Sequence, residues 1–97
     1  MITKQEVIDA ISEVQHPAID NSLLNLGIIK DIQLEANTAQ VIFAFPFPNI
    51  PIAEQLVFSI NEPIKALGLG FKYKIITMTN DEKEQFMQLE AEGWKGL

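Results

Sequence analysis

The chain contains no cysteine. That excludes disulfides, thiolate zinc sites, thiol catalysis and cysteine-ligated iron–sulfur clusters within it, because each needs a sulfur the chain cannot supply. Basic charge is also scarce: seven basic residues stand against thirteen acidic ones, for a formal charge of −6. Nucleic acid binding relies on a basic face that displaces phosphate counterions. The lysines here are scattered, and the closest pair, Lys72 and Lys74, reads as the solvent side of a strand, so no nucleic acid partner is expected. No apolar run approaches the roughly 20 residues that cross a bilayer. The opening Met1-Ile2-Thr3-Lys4-Gln5-Glu6 has no basic segment leading into an apolar stretch, so neither signal peptide nor membrane partner is expected, and a cytoplasmic location follows by default. Gly68-Leu69-Gly70 lacks a third glycine and lies between a helix and a strand, the wrong place for a nucleotide fingerprint. Ser12, Ser22 and Ser59 have no histidine in a recognisable triad arrangement. An enzyme is not expected, and no catalytic, cofactor-binding or metal-ligating residue is assigned.

What remains is a 97-residue chain, 47% apolar, suited to one domain with one core. Thr3 and Glu6 fit a capping box, and Val7, Ile8, Ile11 and Val14 form one helical stripe, so a helix is expected over about 4–15, stopped by Pro17. Residues 18–26 form a connector, and Gly27 allows a turn. Ile28, Ile32 and Leu34 share one face of a strand over 28–35. Lys30 interrupts that face, which requires its stem to snorkel or the strand to bend. Ala36-Asn37-Thr38 reads as a hairpin turn into a strand over 39–45, the most apolar segment and therefore the expected central strand. A second helix is expected over 52–67, with Leu56, Ile60, Ile64 and Leu67 buried and Pro63 kinking it. A strand over 71–77 sets Phe71, Tyr73 and Ile75 against Lys72 and Lys74. Thr79 and Glu82 cap a last helix with Phe86, Leu89 and Trp94 on its apolar side. The fold class is α+β: a two-layer α-β-β-α-β-α domain, with a small three-stranded sheet and helices mainly on one face.

Three stretches also follow a known pattern. They are Val14-Gln15-His16-Pro17-Ala18, Leu23-Leu24-Asn25-Leu26-Gly27-Ile28-Ile29-Lys30-Asp31, and Phe47-Pro48-Asn49-Ile50-Pro51-Ile52. In order and spacing, they resemble the "V-x-D-P-E", "I-x-x-L-G-x-V" and "T-x-P-x-C-P-L" elements of the iron–sulfur cluster assembly domain family, which includes SufT- and PaaD-like proteins and the N-terminal domain of Mrp-type P-loop ATPases. The resemblance spans roughly residues 3–78, leaving 79–97 as a helical extension of a single domain, 1–97. It implies a role in cluster assembly or metalloprotein maturation, and a protein partner such as an Mrp-type P-loop ATPase or another assembly component. Aligned on Pro51, the family's reactive cysteine is replaced by Ile50, and the acidic pair around the first proline becomes His16 and Ala18. This chain is then expected to be a divergent member, an accessory or adaptor without its own cluster.

The candidate functional or partner-binding residues are His16, Pro17, Asp20, Asn49, Ile50, Pro51 and Trp94. His16 is the sole histidine; it could serve as a ligand or base beside Asp20, but an imidazolium closing a helix C-terminus is the favoured reading. Phe45 and Phe47 are expected in the core, with Asn49 and Ile50 at an exposed tip. The acidic tail is expected to close the open sheet face with Trp94 over its edge, or to anchor a partner through Trp94. Two other functions stay open. One is a small metal- or ligand-binding domain using loops 14–20 and 46–51, in which His16, Asp20 and Asn49 approach one another. The other is a homodimerisation module joining through a sheet edge or the tail.

Overall fold

A computed structural model describes residues 2–48 and 51–94. Its elements are α1 (Lys4–Ile11), β1 (Ile29–Glu35), β2 (Thr38–Phe45), α2 (Ala53–Ala66), β3 (Gly70–Thr77) and α3 (Asn80–Gly93). The order is the α-β-β-α-β-α read from the sequence, and the sheet runs β1-β2-β3 with β2 central. β1 and β2 pair antiparallel, whereas β2 and β3 pair parallel. A parallel pair needs a crossover rather than a tight turn, and α2 supplies it.

The hairpin closes through Ala36 and Asn37, with φ of 48° and 62°, while Glu35 pairs with Thr38. Two successive left-handed residues match the right-handed twist of the strands they join. At the other end of β1, Ile29 faces Phe43 but Asp31 faces Ile42. The extra residue is Lys30, so the strand bends at the lysine that interrupts its apolar face.

Side chains alternate across the sheet. The rows Leu34–Ala39–Phe71, Ile32–Val41–Tyr73 and Phe43–Ile75 share one face, which α1 and α2 cover side by side. α1 buries Val7 and Ile11; α2 buries Leu56, Val57, Ile60 and Ile64. Phe43 lies at the centre, fully buried, stacked with Phe45 and edge-on to Tyr73.

Two expectations need correction. First, α1 stops at Ile11 with Ser12 as its C-cap, before Pro17 can act. The Ser12 hydroxyl donates back to the Asp9 carbonyl and the Val14 N–H to that of Ile11, after which the chain pairs with residues 21–23 instead of coiling on. Tertiary pairing thus satisfies the backbone groups a longer helix would have paired. Second, α3 does not close the whole of the other sheet face: Ala44 is buried there and Ile42 and Ile76 are half-buried, but the far part is open. Gln33, Gln40, Lys72 and Lys74 stay exposed there, and α3 meets the connector through the hydrogen bond between Asp20 and Gly93 and the bend of β1 through the ion pair of Glu82 with Lys30. β3 is an edge strand, as the central place of β2 implies, and its Tyr73 and Ile75 are about half exposed. α2 runs through Pro63 without interruption, although the Ser59 carbonyl loses its intrahelical donor there.

Candidate functional site

The sequence-predicted site residues lie on two loops, which meet opposite ends of α3, and at the end of that helix. The first loop, 14–23, is closed by backbone bonds. The His16 N–H donates to the Asn21 carbonyl (3.0 Å) and the Leu23 N–H to that of Val14 (3.0 Å), and Gln15 and Ser22 form a bridge. His16 is 6% exposed. Its Nδ1 accepts the Ala18 N–H at 3.0 Å, so that nitrogen carries a lone pair and the ring is in the Nε2–H form in this arrangement. Lying beyond the end of α1, it does not serve as an imidazolium closing that helix. Pro17 and Asp20 are exposed, and the Asp20 N–H donates to the Gly93 carbonyl at 2.7 Å.

The second loop joins β2 to α2. Phe45 is buried as expected, and Pro46 is buried with it just past the strand, where its missing N–H breaks no ladder. The Met78 N–H continues the β2–β3 ladder by donating to the Phe45 carbonyl at 2.8 Å. Phe47 departs from its expected core position. It is half exposed, with Lys83 Nζ 4.5 Å above its ring, so α3 touches this loop through a cation–π contact. Pro51 is exposed, and α2 starts behind Ile52 without any side-chain cap. Asn49 and Ile50 lie outside the described residues, and with them the expected approach of Asn49 to His16 and Asp20.

The end of α3 meets the first loop. Ile19 and Trp94 form a backbone bridge, and the Trp94 side chain is about half exposed. A Cβ on Gly93 would sit 3.2 Å from both the Asp20 nitrogen and the Ile19 Cγ2, so glycine permits this close approach of α3 to the loop. At the start of α3, Glu82 accepts from the Thr79 N–H (2.9 Å) and pairs with Lys30 at 3.3 Å. The Thr79 bond, followed by Lys30, holds the Glu82 carboxyl below its usual range. The sequence marks Glu82 as a cap and Lys30 as anomalous, but no local pattern signals that they meet.

Chemically, the region is poor in ligands. Among the described residues no group of three His, Cys, Asp or Glu side chains could hold a metal ion, and no buried side-chain nitrogen or oxygen lacks a hydrogen-bond partner. It is rich instead in apolar surface around a strand–helix junction.

A family model described as iron-sulfur cluster assembly protein matches residues 4–75, from the first turn of α1 to near the end of β3. The chain belongs to the iron-sulfur cluster assembly protein family. Among solved structures, it is similar to a domain of unknown function, DUF59, from Bacillus anthracis. The TM-score is 0.70 at 14% identity, covering 89% of this chain and 90% of that one. At that identity the likeness shows a shared fold. No curated protein matches the chain.

The family match ends before α3, so the helix that ties the two loops together lies beyond it. The donor set in this iron-sulfur cluster assembly member does not fit a resident cluster: there is no thiolate, which is the soft ligand such clusters take. No helix among the described residues is long and apolar enough to cross a membrane.

Proposed function

We propose that the protein is a non-catalytic accessory or adaptor in iron–sulfur cluster assembly or metalloprotein maturation, acting in the cytoplasm through a protein partner. A P-loop ATPase of the Mrp type, whose N-terminal domain the sequence resembles as it does SufT- and PaaD-like proteins, is the partner of first choice. The observation that carries this reading is family membership over residues 4–75 in a chain with no cysteine. A family member without a soft ligand can contribute shape and surface to assembly, but cannot hold cargo through a thiolate. The junction between Phe45 and Ile52 keeps the strand-to-helix course and presents Phe47, Pro48 and Pro51 to solvent, a surface suited to protein contact rather than chemistry.

Two measurements test the proposal. Incubated with iron and sulfide under anaerobic reducing conditions, the purified protein should remain colourless; a stable visible absorption band that survives desalting would overturn it. Used as bait in extract of its host at low and moderate salt, it should retain a P-loop ATPase or cluster-assembly proteins. If it retains a metal or small molecule and no such protein, the adaptor reading fails.

A further inference from the structure

β3 is one of the two edge strands of the sheet, with β1 at the other side, and its apolar side chains continue into a groove against α2. Phe58 is 61% exposed, Tyr73 53% and Ile75 48%. With Ala53, Val57 and Phe71 they line a depression of about 300 Å³, which shares Ala53 and Ile75 with a second one of about 380 Å³ running to Phe47 and Pro48. Every other residue of an edge strand directs its N–H and C=O outward with no ladder partner, a template for an added strand.

Charge says which strand fits. On the opposite face of the same strand stand Lys72 and Lys74, both exposed, in the rows Gln33–Gln40–Lys72 and Asp31–Ile42–Lys74. Neither lysine has an ion pair among the described residues, where the ion pair present is Lys30–Glu82. Their immediate cross-strand neighbours, Gln40 and Ile42, are uncharged, and the Asp31 carboxylate accepts from Gln33 at 2.9 Å. The edge therefore alternates apolar and cationic side chains in a protein of net charge −6. A second copy is a poor occupant. Two-fold antiparallel pairing centred on Tyr73 sets Lys72 of each copy opposite Lys74 of the other, and like charges directly opposite destabilise a strand pair. Lysines on an edge thus repel self-association while admitting a strand of opposite sign.

We infer that β3 is a strand-addition site for an extended partner segment that alternates apolar and acidic residues. Its apolar side chains seat in the groove between α2 and β3, and its carboxylates meet Lys72 and Lys74. The inference rests on the adaptor reading above and names the kind of segment the partner offers.

The test uses the full chain with two fluorescein-labelled peptides of the eight-residue length of β3, one alternating valine with glutamate and the other valine with lysine. The glutamate peptide should raise fluorescence anisotropy and bind about tenfold more tightly than the lysine peptide, as two or more cross-strand charge pairs change sign. The Lys72→Glu/Lys74→Glu variant, altered only at exposed positions, should keep its circular dichroism spectrum and reverse the preference. Hydrogen exchange at β3 amides should slow in the glutamate complex. Equal binding of both peptides, or binding of neither, overturns the inference. So does a dimer in light scattering that the Ile75→Asp variant dissociates, since a second copy then owns the edge. Capture of assembly proteins undiminished by the double charge reversal leaves the adaptor reading standing and removes strand addition. Peptide binding without such capture does the reverse.

Discussion

Single residues in this protein often serve two elements, and Glu82 shows the consequence most directly. Its carboxylate closes the N-terminus of α3 through Thr79 and reaches Lys30 at the bend of β1. Both interactions favour the charged form and hold the folded carboxyl below its ordinary value of 4.5. Unfolding returns it to the ordinary value, so its stabilisation is complete above that pH and is lost as pH falls through the depressed folded value. Glu82→Gln should lower the melting temperature at neutral pH, and its melting curve should vary less than that of the wild type between about pH 5 and 3. Thermal melts across that range check both. Gly93 supports a second prediction, with a sign opposite to the usual one. Alanine normally stabilises a helix relative to glycine by about 1 kcal/mol. Here the added methyl meets the Asp20 backbone at 3.2 Å, so Gly93→Ala should destabilise by about 1 kcal/mol as overpacking wins, a drop of roughly 4–8 °C in melting temperature.

At the scale of elements, local signals decide the result wherever they are strong. Both capping boxes named in the sequence form, at Thr3–Glu6 and Thr79–Glu82, and Thr79→Ala should cost about 1 kcal/mol in denaturant unfolding. The hairpin turn also falls where Asn37 signals it. Ala36, however, takes a left-handed conformation that costs an alanine about 1–2 kcal/mol. Ala36→Asn should therefore stabilise by about 0.5–1 kcal/mol, since asparagine tolerates that region, without moving the strands. What the sequence could not disclose is decided by distant partners. The stripe Val7–Ile11–Val14 reads as continuous helix, yet Val14 is held by Leu23, a contact no periodicity reveals. Phe71, Tyr73 and Ile75 alternate correctly, yet alternation distinguishes the two faces of a strand without saying whether the strand has neighbours on both sides. The candidate site is legible to a similar degree. The two loops can be located from their prolines, while the junction of the His16 loop with α3 depends on Asp20 meeting Gly93.

For the molecule as a whole, stability and surface chemistry separate cleanly. The core gathers around Phe43 between the sheet and the two helices α1 and α2, whereas Phe58 lies largely outside it. Phe58→Ser should leave unfolding free energy within about 0.5 kcal/mol of the wild type, as surface substitutions usually do. The same apolar surface becomes a liability where charge vanishes. The sequence pI is about 4.5, and turbidity should peak near that pH. Ile75→Glu should reduce the turbidity on the alkaline side of that peak with little change in melting temperature, because it adds to the net negative charge there and breaks the apolar patch.

The hydrogen bond from Asp20 to Gly93 ties together positions at nearly opposite ends of the chain. That tether sets an order of assembly. The β1–β2 hairpin closes across a few residues and β3 returns through α2, but α3 has no seat until the connector has folded against the sheet; contacts that close the longest loops are the last to be rewarded. The reverse path starts with the same helix lifting off while the rest holds. The Asp20 amide should accordingly exchange with solvent deuterium faster than the Ala44 amide, which donates to Ile28 inside the sheet.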